Sequence, residues 1–309
     1  MFRKINSKLL YIVFAVLLAL VVLVELLDSR KGNRTFKSDL VEVVPEEVTS
    51  IEIYPKAANG NLIKIFREND NWKVESEGKK YNADQATAGR MITELNSLKP
   101  KSVAATKKEN WGKFEVTDSL GTHVKLLKGS DVAADLVIGK FSYSEPRNMT
   151  SYVRLADDNK VYGVDGMLGM SFNRNINSFR DRTVIKSNKN DWTKLTFSYP
   201  ADSSFVLEKR GEKWMIGEME TDSASVAQYF TKIANLTDGS FAEQKPVFAP
   251  THRLTIEGNN MMQKVEVVGY YSDPENFVLE SNQNHDTWFN SKTSAEKVFV
   301  SVMALIGLK

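Results

Sequence analysis

Sixteen consecutive apolar residues, Leu9 to Val24, stand near the start of this chain, and Leu26 and Leu27 carry the run past Glu25. As a helix at ~1.5 Å per residue, Leu9 to Leu27 spans about 28 Å, close to the ~30 Å hydrocarbon core of a bilayer. No comparable run follows. Residues 1–28 therefore read as a transmembrane anchor and residues 29–46, polar and closing on Val-Pro-Glu-Glu, as a stalk. A cleaved signal peptide is the rival reading, but Glu-Leu-Leu-Asp-Ser after Val24 offers no small-x-small cleavage site. Arg3, Lys4 and Lys8 precede the helix, and Arg30, Lys31, Arg34 and Lys37 follow it, so the positive-inside count is close to a tie. The short basic N-terminus resembles the start of an export signal. The expected topology is single-pass in the inner membrane, with the N-terminus cytoplasmic and the body periplasmic. Ala15 and Ala19, at i and i+4, make a small patch that lets a second membrane helix approach closely.

The 309 residues allow about two domains beyond the anchor. Basic and acidic side chains nearly cancel, 41 against 39, which argues against a nucleic-acid binder. The absence of cysteine removes disulfides, thiolate metal sites, cysteine nucleophiles and lipidation at a cysteine. The body must be held by its own core.

That body is written twice. Asn82-Ala-Asp84 opens a helical stripe of Ala88, Met91, Ile92, Leu95 and Leu98. Thr221-Asp222-Ser223 opens another of Val226, Tyr229, Phe230, Ile233 and Leu236, at a constant offset of 138. Ile51-x-Ile53 pairs with Leu195-x-Phe197, Ile63 and Ile65 with Phe205 and Leu207, and Trp72 with Trp214. Beyond the helix, Val103 pairs with Phe241. The same reading aligns Phe114 and Val116 with Leu254 and Ile256, Leu136–Gly139 with Glu266–Gly269, Tyr152-Val153 with Phe277-Val278, and Val161-Tyr162 with Trp288-Phe289. Each unit then reads β-β-β-α-β-β-β-β, and turn signals such as Ala58-Asn-Gly60 and Glu257-Gly-Asn-Asn260 predict antiparallel hairpins. The expected fold is α+β: two duplicated, mainly antiparallel β lobes, residues 47–185 and 186–309, each carrying an amphipathic helix, behind the membrane anchor.

Motifs for chemistry are scarce. His123, His252 and His285 are far apart, and neither HExxH nor i, i+4 histidine spacing occurs, so each reads as an ordinary surface or loop residue. Gly163–Gly169 is glycine-rich without the Lys-Ser/Thr of a phosphate loop. No serine lies in Gly-x-Ser-x-Gly. Asp157-Asp158 and Asp273-Pro-Glu275 read as solvated turns. No catalytic residue, cofactor or metal ligand is expected. The aromatic and charged stretch Phe141-Ser-Tyr143-Ser-Glu145-Pro-Arg147 reads as an exposed hairpin, with Phe141, Tyr143 and Arg147 as a candidate partner loop.

Trp72, Tyr81-x-Ala83-Asp84 opening a helix that ends Leu95-x-x-Leu98, Ile138-Gly139-Lys140, Tyr152-Val153-Arg154-Leu155, Val161-Tyr162 and Phe179-Arg180-Asp181 together resemble the bacterial domain-of-unknown-function 4340 family. The resemblance covers most of residues 48–185. The second unit is a divergent copy that lacks the lysine after Gly269 and the Phe-Arg-Asp motif. Proteins similar to this typically carry one N-terminal membrane helix and are often encoded beside ABC transporter subunits of the gliding-motility type. The resemblance thus implies a membrane-anchored accessory or scaffold subunit of an ABC-type envelope complex, acting through contacts with transporter membrane subunits and not as an enzyme. An extracytoplasmic glycan- or peptidoglycan-binding module is the alternative, and a hydrolase with dispersed carboxylates a more distant one.

Overall fold

The computed structural model describes residues 16–17, 37–144, 148–273 and 276–308. The expected anchor (Leu9, Ala15, Ala19, Val24 and Leu27 among its residues), the basic residues Arg3, Lys4 and Lys8, and Arg147 of the candidate loop lie outside them. Among the described residues no helix is long and apolar enough to cross a membrane, a statement about helices alone.

The first lobe is built from β1 (Ser50–Tyr54), β2 (Ile63–Glu68), β3 (Asn71–Ser76), β4 (Lys79–Asn82), α1 (Gln85–Asn96), β5 (Pro100–Ala105), α2 (Trp111–Phe114), β6 (Thr122–Lys128), β7 (Asp131–Ser144), β8 (Asn148–Leu155), β9 (Val161–Asp165) and α3 (Gly169–Phe172). A connecting strand, β10 (Thr183–Lys186), leads to the second lobe. That lobe holds β11 (Trp192–Ser198), β12 (Phe205–Arg210), β13 (Lys213–Ile216), β14 (Met219–Glu220), α4 (Ser223–Ile233), β15 (Asn235–Thr237), β16 (Phe241–Ala242), β17 (His252–Gly258), β18 (Val265–Asp273), β19 (Asn276–Ser281), β20 (Trp288–Asn290), α5 (Lys292–Val298) and α6 (Val302–Leu305). The two nine-stranded sheets run β4-β3-β2-β1-β6-β7-β8-β9-β5 and β14-β13-β12-β11-β17-β18-β19-β20-β16, the same order element for element. The fold is α+β with mostly antiparallel sheets.

Local chemistry accounts for the elements. Asp84 accepts a 2.7 Å hydrogen bond from the Thr87 amide, and Asp222 one of 2.7 Å from the Ser225 amide, so each long helix begins at a carboxylate cap. The five apolar residues of each expected stripe are all buried, four of them within the helix, while Leu98 lies just past the end of α1 and Leu236 lies in β15. Burying the side chains larger than alanine contributes roughly 1.5–3 kcal/mol each. Ile51, Ile53, Ile63 and Ile65 face the core from β1 and β2, and Leu195, Phe197 and Leu207 do so from β11 and β12. Asn69 and Asp70, both at positive φ, close the two-residue β2–β3 turn, and Gly211 at φ 65° closes its counterpart.

Three sequence expectations need correction. Each unit has four strands before its helix, not three, because Glu77-Gly78, both at positive φ, turn β3 into an added strand, β4. Phe114 and Val116 are not the counterparts of Leu254 and Ile256. Those partners are Val124 and Leu126, which face Ile53 and Ile51 across β1 as Leu254 and Ile256 face Phe197 and Leu195 across β11. Phe114 and Val116 instead belong to an insertion between β5 and β6 that packs, with Trp111, on Val137 and Val161. The alignments of Leu136–Gly139 and of Tyr152-Val153 are off by one, whereas Val161-Tyr162 does match Trp288-Phe289. The registers match Leu136 with Val267, Ile138 with Gly269 and Val153 with Leu279. A one-residue slip swaps the faces of a strand, so the error reverses which side chains are inward.

The tryptophans also differ. Trp72 is buried, whereas Trp214 is half-buried against Phe230, with ring centroids 4.9 Å apart. Trp192, 1% exposed, packs on the same Phe230 and takes the deeper place.

The lobes meet along residues 179–186. The Asp84 amide donates to the Phe179 carbonyl at 2.9 Å, the Asp181 amide to the Asn82 carbonyl at 2.8 Å, and β10 pairs with β15 of the second lobe. Arg180, 2% exposed, lies between the rings of Tyr81 and Phe241, its guanidinium carbon 3.7 and 3.6 Å from their centroids. Asn82 donates to the Asn284 side chain at 3.0 Å and to the His285 carbonyl at 2.8 Å, and Lys79 pairs with Glu243 at 2.8 Å.

Candidate functional site

The registers place Thr122 opposite Ile138 in the first lobe and His252 opposite Gly269 in the second. A cleft opens beside each pair, next to the helix that follows the final strand of its lobe. The first, about 350 Å³, is lined by Thr122, Ile138, Leu120, Phe141, Met167 and Met170. The second, about 810 Å³, is the larger and is walled by aromatic rings. It falls in the size range of small-molecule and side-chain binding sites.

The difference begins with one residue. Ile138 fills its side of the first cleft with a side chain. A Cβ added to Gly269 would lie 2.5 Å from the Phe277 ring and 2.7 Å from the Phe299 ring. Glycine there lets Phe277 from β19 and Phe299 from the segment after α5 lie over the bare backbone, stacked with centroids 5.7 Å apart. His252 stands at the centre of the wall, 5.3 Å from each of those rings, 5.1 Å from Tyr199 and 6.1 Å from Tyr271. Removal from water among these rings lowers the imidazole pKa below its ordinary value, so His252 is neutral at neutral pH. Burial likewise raises that of the Tyr199 phenol.

Several polar atoms of the lining are hydrogen-bonded within the chain. The Tyr199 hydroxyl donates to the Val300 carbonyl at 2.9 Å. Ser203 donates to the Pro200 carbonyl at 2.7 Å and Ser204 to the Tyr199 carbonyl at 3.1 Å. The Thr251 hydroxyl and His252 Nδ1 are 2.8 Å apart. These bonds fix the rings in place. Neither serine is aimed at the histidine as a nucleophile toward its base. Among the described residues no group of three or more His, Asp or Glu side chains is placed to hold a metal ion.

Of the sequence-predicted partner residues, Phe141 and Tyr143 are exposed at 57% and 56% on β7. Phe141 also lines the smaller cleft. The exposed apolar side chains of Leu120 and Met170 line it too, so the expected aromatic arm belongs to a wider apolar surface on the first lobe. No sequence motif marks the aromatic cleft of the second lobe, and His252, expected to be an ordinary surface or loop residue, is half-buried at its centre. Its rings come from four separate stretches of sequence. The one local signal was Gly269 at an inward position of a strand otherwise rich in valine.

Residues 72–254 match the family model described as Domain of unknown function (DUF4340), and the chain belongs to that family. The match runs from β3 to β17 and so includes the Arg180 joint. No curated protein and no solved structure matches the chain.

Proposed function

We propose that this protein is a non-catalytic accessory or scaffold subunit of an ABC-type envelope transporter complex, held at the inner membrane by its N-terminal helix with the two-lobed body outside the cytoplasm. We take the two lobes to be copies of one ancestral unit. The observation that supports action by contact is the aromatic cleft, where the Tyr199 hydroxyl and those of Ser203 and Ser204 are held by backbone carbonyls and neither serine faces His252. A site so arranged is organised to hold a partner group. The exposed Phe141 and Tyr143 supply a second surface of the same kind, and apolar patches of this sort commonly mark interaction sites. A tether adds to weak contacts by restricting the body to a thin layer near the membrane, which raises its effective concentration. A glycan that stacks its ring faces on the aromatic wall is the alternative occupant. The test is affinity purification of the full chain from detergent with mass spectrometry, comparing the native protein with Phe141→Ser/Tyr143→Ser. Transporter membrane subunits should co-purify with the native chain and be depleted with the variant. Recovery of no transporter subunit, with retention on cell-wall glycan, sinks the scaffold reading.

A further inference from the structure

From the second-lobe cleft we infer a specific recognition chemistry: it receives an arginine side chain from a basic segment of a partner protein. This rests on the contact reading above. The walls carry the rings of Tyr199, Tyr271, Phe277 and Phe299, and the face of an aromatic ring attracts a cation through its quadrupole. Two exposed carboxylates, Asp202 and Glu296, stand at the lining, and neither has an ion-pair partner among the described residues. Among the described lining residues Lys292 is the one lysine or arginine, and His252 adds no charge while neutral. The charged lining is therefore net acidic around an aromatic interior. A guanidinium matches both parts: its flat face stacks on rings and its fork of donors suits carboxylates. A quaternary ammonium satisfies only the first, and an acidic peptide or a phosphate neither.

The same chemistry is already used inside the molecule. Arg180 is held between Tyr81 and Phe241, and Arg154 lies 3.9 Å from the Trp111 ring centroid while pairing with Asp118 at 2.7 Å. Aromatic faces thus receive guanidinium groups inside this chain, in the case of Arg154 with a carboxylate at the edge.

The test uses the full chain in detergent and fluorescein-labelled tetra-arginine, with binding followed by fluorescence polarisation at fixed moderate salt. Saturable binding is expected. Tyr271→Ala, at a side chain 39% exposed, should weaken it by about five-fold or more through loss of a ring face. The double variant Asp202→Asn/Glu296→Gln, which changes only exposed groups, should weaken it to a similar degree, with melting curves unchanged. Labelled tetra-lysine should bind less well than tetra-arginine. Binding that is insensitive to both variants, or absent, overturns the inference. So does displacement of the probe by chitotetraose, which would assign the cleft to a glycan. Loss of tetra-arginine binding with transporter subunits still co-purifying rejects this inference alone and leaves the scaffold reading standing.

Discussion

A single missing side chain decides the character of the second cleft. At the position where the first lobe carries Ile138, Gly269 leaves room for two phenylalanine rings over its backbone, and His252 is then enclosed by aromatic groups. Because burial disfavours the charged form, the folded pKa of His252 lies below its unfolded value of about 6.5. The unfolded chain therefore binds a proton first as pH falls. Stability from this group is complete above about pH 6.5 and is lost as pH drops through that value toward the lower folded pKa. His252→Phe keeps an aromatic ring without a titrating group. Melting temperatures measured from pH 7.5 to 5 should fall more steeply for the native protein than for this variant. Parallel curves for the two proteins would show that His252 is not the source.

Among the elements, the two long helices were the most legible. Their caps and stripes are written within a dozen residues, and the structure buries all five positions of each expected stripe. Asp84→Ala and Asp222→Ala should each destabilise the protein by about 1 kcal/mol, the usual cost of losing a carboxylate cap, as read by urea denaturation. Asp84→Asn and Asp222→Asn should restore most of it, since Asn caps nearly as well. Equal loss with Ala and Asn would mean that these residues act by charge elsewhere. The later strands were less legible. The register of β18 and β19 is set by hydrogen bonds to partner strands, and pairing Gly139 with Gly269 because both are glycines displaces the apparent match by one residue. The insertion carrying Trp111 and Phe114 misled the alignment because its apolar residues mimic a strand while covering the outer face.

At the level of the whole molecule, the two lobes are joined through Phe179-Arg180-Asp181. Arg180 brings together Tyr81 from one sheet and a residue after α4 from the other, and burial lowers its pKa against the pull of nearby Glu243. Burying a guanidinium is costly unless ring faces and hydrogen bonds replace its water. Asn177 supplies one such bond at 3.2 Å. Removing the side chain as Arg180→Ala should cost about 3 kcal/mol, from two lost ring contacts and the gap left between them. It should also let the lobes unfold separately, so calorimetry should resolve two transitions and protease should cut near residues 181–190. Arg180→Lys should rescue little, because a lysine ammonium cannot stack flat between two rings. A single unshifted melting transition in Arg180→Ala would reject this role for the joint.

What could be known without coordinates was whatever depends on neighbours along the chain. Helix stripes, caps, hairpin turns, the apolar run from Leu9 to Leu27 and the ordered motifs of the family all rest on local hydrogen bonding and on periodicities of 3.6 or 2. The registers, the cleft and the joint do not. Tyr81, Arg180 and Phe241, or Tyr199, His252, Tyr271, Phe277 and Phe299, share no period and no spacing. Nothing along the chain marks them as partners, because their proximity follows from how two nine-stranded sheets pair, twist and pack, and long-range strand pairing alone brings them within a few ångströms of each other.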